Sequence, residues 1–181
     1  MPSTKKFSTA FLINILIACA ATDVYAATET AKINVTATVV DNTCTPGWSA
    51  SGINVSLGRA SLIDFTGTGE SGAAKTFHLD LEGCGAGAKS VTVTADGTPD
   101  GTNQTLFANS TRSGAAGVAL GLYGGSTQAT QLLPNGSSSV DYAIVDSKVR
   151  MDFTAKLIQT SATAPTAGDF SSIVTLNVAY N

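Results

Sequence analysis

From Ile33 onward the chain is built of short segments in which apolar side chains recur at every second position. Ile33, Val35, Ala37 and Val39 share one face of a segment whose other face carries Asn34, Thr36, Thr38 and Val40. The same alternation returns at Ile53/Val55/Leu57, Phe77/Leu79/Leu81, Val91/Val93 and Val118/Leu120/Leu122. It continues at Val140/Tyr142/Ile144, at Met151/Phe153/Ala155/Leu157, and from Phe170 through Ser172, Val174, Leu176 and Val178 to Tyr180. Period two is the signature of a strand with one buried face, and no stretch of the mature chain has the 3.6-residue period of a helix. Gly, Ser, Pro and Asn punctuate the runs, as at Thr45-Pro46-Gly47, Asp96 to Gln104 and Pro134-Asn135-Gly136. About seven to nine strands, roughly ten to fifteen residues apart, predict an all-β Greek-key sandwich.

The length, 181 residues, supplies one such domain. Charged residues make up only 13% against 43% hydrophobic, and basic residues do not cluster. The sequence therefore lacks the electrostatic footprint of a nucleic-acid binder and gives an anionic membrane nothing to attract.

Residues 1–26 have the order of a secretory signal: Lys5 and Lys6, an apolar run from Phe7 to Ala21, and small residues before a cut between Ala26 and Ala27. The mature chain would then begin at Ala27. Removing the signal takes away Lys5, Lys6 and Asp23; ten basic and thirteen acidic residues become eight and twelve, a net charge of −4. A competing reading uses Leu16-Ile17-Ala18-Cys19, which is similar to a lipoprotein box and would make Cys19 a lipid-bearing N-terminus. With the signal gone, Cys44 and Cys84 remain, and an even pair in an exported chain reads as a disulfide.

Letter motifs for chemistry fail in context. Gly67-Thr68-Gly69-Glu70-Ser71-Gly72 fits a dinucleotide fingerprint, but a strand follows where that motif needs a helix. His78 and Asp80 share one face of a strand with no nucleophile elbow nearby. His78 is the only histidine, too few for a closed metal site. A ring for stacking against a sugar is offered only around Trp48 or Tyr123, and Trp48 reads as packing near the cysteine pair. The chain is read as a non-enzyme without a cofactor.

Several marks coincide with a known family. An alternating N-terminal segment ends VVDNTC at the first cysteine, and FHLDLEGC ends at the second. GVALGLYG and FTAKLIQT supply mid-chain and penultimate strands, Gly168 stands fourteenth from the C-terminus, and Tyr180 is penultimate. Across nearly the whole mature chain the sequence resembles subunits of type 1-like fimbriae (pili) built by the bacterial chaperone–usher pathway. It departs from them at Leu157, where an aromatic is common, and at Ala37, where the donor segment usually has glycine.

The resemblance implies an incomplete immunoglobulin-like Greek-key sandwich that lacks its last strand, with an N-terminal donor-strand extension. It divides the chain into a removed signal peptide (1–26), the extension (27–43) and a pilin domain (44–181). Ile33, Val35, Ala37 and Val39 would fill a neighbouring subunit's groove. Gly168, Val174, Leu176, Val178, Tyr180 and Asn181 would line the chain's own groove and meet a periplasmic chaperone, with the Asn181 carboxylate in a basic pocket of that chaperone. An outer-membrane usher and neighbouring subunits complete the implied partners, and the implied destination is a fimbrium at the cell surface that supports adhesion. Two alternatives stand beside it: a self-contained exported sandwich that binds a ligand such as a carbohydrate, and a lipid-anchored envelope protein held through Cys19.

Overall fold

The structure is a computed structural model that describes residues 43–181. Several positions singled out from sequence lie outside the described residues. They are the two residues flanking the expected signal cut, Ala26 and Ala27, the alternative lipid site Cys19, and the donor residues Ile33, Val35, Ala37 and Val39.

Among the described residues, eight strands form two antiparallel sheets: β1 (Thr45–Pro46), β2 (Ser71–Glu82), β3 (Ser90–Gly97), β4 (Val118–Gly124), β5 (Thr130–Leu132), β6 (Asn135–Ala143), β7 (Lys148–Gln159) and β8 (Val174–Tyr180). The five-stranded sheet has the order β1-β2-β7-β4-β5 and the three-stranded sheet the order β6-β3-β8. A single 3-10 turn, Leu62–Asp64, lies between β1 and β2. The arrangement is the all-β two-sheet sandwich that the alternation predicts.

β7 is the centre of the larger sheet, paired with β2 on one side and β4 on the other. Its inward residues Val149, Met151, Phe153, Ala155 and Leu157 are all buried, because strands packed on one face hide every second side chain. Opposite them, Val91, Val93 and Ala95 of β3 are each 0% exposed. Burial of this kind contributes about 1.5–3 kcal/mol per large aliphatic side chain, so the β3–β7 layer supplies most of the cohesion. Leu106 and Phe107, read from sequence as a short apolar patch, are fully inside at 2% and 0% exposed.

Cys44 and Cys84 form the expected disulfide, with an S–S distance of 2.07 Å and a sequence separation of 40. Closing a loop of that length constrains the unfolded chain by about 4 kcal/mol. Trp48 and Cys44 are half-buried and pack against the main core, as their proximity in sequence suggests.

Three sequence expectations differ from the structure. Thr45-Pro46-Gly47, read as a turn, begins with a two-residue strand in which Thr45 faces Glu82 and Pro46 faces Leu81. The strand expected over Ile53, Val55 and Leu57 is not in a sheet: residues 51–60 carry no ladder partner among the described residues. Alternation marks a chain ready to pair, but a ladder also needs a neighbour for its N–H and C=O groups. The last strand begins at Val174 rather than Phe170. Its approach is diverted, with the Asp169 carbonyl accepting from Ala115 N (2.9 Å) and the Ser171 carbonyl from Ser110 N (2.7 Å).

Candidate functional site

The two sheets do not close on both sides. Between residues 53–60 and the start of β8 runs a groove of about 750 Å³. Its floor is the inner face of the larger sheet: Phe77 and Leu79 of β2, Leu120 and Leu122 of β4, Ala155 and Leu157 of β7. Val55 and Leu57 contribute to one wall; residues 165–172 with Val174 and Leu176 form the other.

β8 shows what is unusual here. It pairs with β3 along its whole length, from Val91↔Tyr180 to Gly97↔Val174, but it is the outer strand of its sheet. Val174, Leu176, Val178 and Tyr180 face inward and are only half-buried, whereas Val91, Val93 and Ala95, which face the last three of them from β3, are fully covered. An outer strand, unladdered on its far side among the described residues and carrying half-covered apolar side chains, is a template for another strand. Four exposed large apolar residues lie in or beside the groove walls, while a fifth, Val145, is in the turn between β6 and β7. Ile53 and Leu62 line the groove; Ile63, 84% exposed, is in the same 3-10 turn as Leu62, and Ile173, 76% exposed, directly precedes Val174.

Of the residues singled out from sequence, the structure brings Gly168, Val174 and Leu176 to the groove. Val178 and Tyr180 pack on the core toward the other end of β8. Asn181 prolongs the ladder: its terminal oxygen accepts from Ser90 N (3.1 Å), its own N–H reaches the Ser90 carbonyl (2.9 Å), and its amide donates to Thr92 Oγ1 (2.8 Å).

The structure also gives Gly168 a reason. A methyl there would stand 2.5 Å from the backbone nitrogen of Ala115, so only glycine lets the groove wall approach the loop before β4 this closely. Sequence reading found the glycine but missed its counterpart, Asn109, whose carboxamide holds the same wall. Nothing in an Asn-Ser-Thr loop signals a contact 60 positions away.

His78 and Asp80 lie on the exposed outer face of β2. The imidazole Nδ1 is 3.0 Å from the Arg150 guanidinium and Nε2 is 3.5 Å from Asp80. With both side chains about half exposed, this is a solvated charge cluster of small energetic weight. Among the described residues there is no group of three or more His, Cys, Asp or Glu side chains placed to hold a metal.

The described chain is thus an all-β two-sheet sandwich, bridged near its first strand and open along its last. Its family follows from sequence: the profile of the family described as fimbrial protein matches residues 33–181, and the chain belongs to that family. It is 34% identical over 126 residues to an uncharacterised fimbrial-like protein of Escherichia coli K12, covering 69% of this chain and 71% of that one. A probable major fimbrial subunit of Escherichia coli O157:H7 is 31% identical over 150 residues, 82% of each chain. Among solved structures, an antigen and type I fimbria protein of Burkholderia pseudomallei superposes with a TM-score of 0.58 at 31% identity, covering 77% of this chain and 90% of that one. The protein is a structural subunit of a surface fimbrium, not an enzyme, and polymerises with other subunits.

Proposed function

We propose that the groove is the acceptor for a donor strand, and that residues 27–43 of one subunit fill the groove of the next. The observation that carries this reading is the state of β8: an outer strand, laddered on one side only, with its inward residues half-covered above an apolar floor. A strand laid between β8 and residues 53–60 would pair with backbone that has no ladder partner there among the described residues and would cover the floor, which is strand addition in its general form.

The extension suits that place. Ile33, Val35, Ala37 and Val39 span about 20 Å in extended form. The three larger side chains would contribute roughly 5–9 kcal/mol gross on burial, against the cost of ordering the strand. Cys44, tied to Cys84, then marks where the extension ends and the pilin domain (44–181) begins.

Before assembly the same groove gains from a temporary occupant, since the half-covered side chains of β8 and its outer edge invite aggregation as the concentration rises. A periplasmic chaperone fills that role in this reading, with the exposed Asn181 carboxylate available to its basic pocket. An outer-membrane usher is the place of exchange, after export and cleavage between Ala26 and Ala27. Cleavage there leaves Ala27 as the first residue of the donor extension, which mass spectrometry of the mature N-terminus checks directly. A lipid-modified Cys19 in its place would overturn this boundary.

Two variants of the mature chain test the donor and acceptor roles separately. Val35→Asp disables the donor and leaves the groove; Leu176→Asp puts a charge on the groove wall and leaves the donor. Each alone should stay unpolymerised, and mixing them should give dimers and nothing longer by size-exclusion chromatography with light scattering. Normal polymers from either variant alone would sink the reading.

A further inference from the structure

An empty apolar trench tends to close, because closure removes its walls from water. The wall formed by residues 165–172 is not part of a sheet, and Thr166 to Asp169 are exposed. A polar device holds it away from the floor. The Asn109 carboxamide uses its full capacity there. Nδ2 donates to the Asp169 carbonyl (3.1 Å) and, within its own loop, to the Ala115 carbonyl (2.9 Å). Oδ1 accepts from Ser171 N (3.0 Å) and from Thr111 N (3.0 Å). Two bonds brace the loop before β4, and two cross to the wall. Glycines on both sides permit the approach: a methyl at Gly168 would crowd Ala115 N, and one at Gly114 would overlap the Asp169 carbonyl oxygen.

We propose that Asn109 is the positioning residue of the groove, fixing the stance of the 165–172 wall so that the groove stands open before a strand arrives. This rests on the donor-strand reading of the site. No other side chain offers two donors and two acceptors in one plane at this length. Aspartate keeps the acceptors and loses the donors, so the bonds to the Asp169 and Ala115 carbonyls fail while those from Ser171 and Thr111 remain. Pre-setting the wall lowers the ordering cost of insertion, so Asn109 acts on the rate of strand uptake more than on the stability of the core.

The test uses mature chain carrying Val35→Asp, kept dilute enough to be monomeric by light scattering, and a fluorescein-labelled synthetic peptide of residues 27–43, with uptake followed by anisotropy and stability by urea unfolding. Asn109→Ala should slow uptake by about tenfold or more, and Asn109→Asp by less. Tyr142→Phe, which removes hydrogen bonds on the opposite side of the sandwich, is the stability control and should leave the uptake rate unchanged. Should Asn109→Ala not fold, Asn109→Asp carries the same comparison. Uptake that is unchanged in the Asn109 variants, or that falls in Tyr142→Phe in the same proportion to lost stability, overturns the positioning role. Failure of the parent chain to take up peptide at all overturns the donor-strand reading itself, and the role of Asn109 with it.

Discussion

On one side of the sandwich the sheets are sewn together; on the other they are held apart. The closed side is crossed by the chain itself, as β5 in the larger sheet passes through Leu133 and Pro134 into β6 of the smaller. Tyr142 of β6 fastens it. Its hydroxyl accepts from Gly125 N and donates to the Asp152 carbonyl, both at 2.8 Å and both on the larger-sheet side, while its ring meets Phe153 edge-on at 5.8 Å. The open side has apolar side chains on the same alternation, but among the described residues no tyrosine crosses it from sheet to sheet; its bonds run from the 109–116 loop to the wall. Phe77 stacks on Phe153 at 5.4 Å and still remains half-buried, because the space above it is the groove. The difference shows that alternation specifies a face to be covered without specifying which chain covers it.

The largest effect should separate the two rings of that stack. Phe153→Ala empties a fully buried site and should cost about 3–5 kcal/mol in urea unfolding, with or without a strand in the groove. Phe77→Ala should cost well under that in the unfilled subunit and approach it once the 27–43 peptide is bound. Equal losses in the unfilled subunit would mean the two sides are equally covered, and the contrast would be broken.

Tyr142→Phe tests the stitch. It leaves Gly125 N and the Asp152 carbonyl without their partner and should cost about 1–3 kcal/mol, with peptide affinity unchanged. The hydroxyl also gives a pH signature. Burial raises the Tyr142 pKa above its ordinary value of 10.0, the bond from Gly125 works against the rise, and Asp152 adds to it. The folded state therefore holds this proton more tightly than the unfolded chain. The associated stability is present in full below the unfolded value and is lost as pH rises through the folded one. Alkaline denaturation beginning near pH 10 should be blunted in Tyr142→Phe, with Tyr123, also raised by burial, accounting for part of what remains.

On the open side, Leu176→Ala removes a half-covered side chain. The unfilled subunit should lose about 1 kcal/mol, while the peptide dissociation constant should rise by roughly tenfold. A larger loss of stability than of affinity would place Leu176 in the core rather than at the strand site.

The sequence made the covered faces legible and left their coverings obscure. Val91, Val93, Leu120, Leu122 and the inward run of β7 could be assigned from period two alone, since a one-residue slip would turn each set outward. The pairing of Cys44 with Cys84 followed from export and arithmetic. Ile53, Val55 and Leu57 carry the same pattern, yet among the described residues the segment stays outside both sheets; on the donor-strand proposal, its partner belongs to a neighbouring subunit. Phe170 and Ser172 kept the alternation of β8 but not its ladder, because side-chain and loop hydrogen bonds from 109–116 draw that backbone away. Gly168 was visible as a letter and a position; its reason lay in the Ala115 backbone, 53 positions earlier, which no local pattern encodes.

The smallest prediction asks whether the sides can be tuned independently. The turn joining β6 to β7 bridges Val145 and Lys148, and its two central residues, Asp146 and Ser147, have φ of 51° and 58°. That is a two-residue turn with both centres left-handed, which Asn-Gly satisfies best and serine accepts at a cost. Replacing the pair as Asp146→Asn with Ser147→Gly should raise stability by about 1 kcal/mol, read as a higher urea midpoint with an unchanged slope. The turn lies between the sheets, away from the groove lining, so the rate and affinity of peptide uptake should stay where they were. If uptake slows as the turn tightens, the open side depends on give in the closed one, and the two sides work as a single hinge rather than as a seam and a socket.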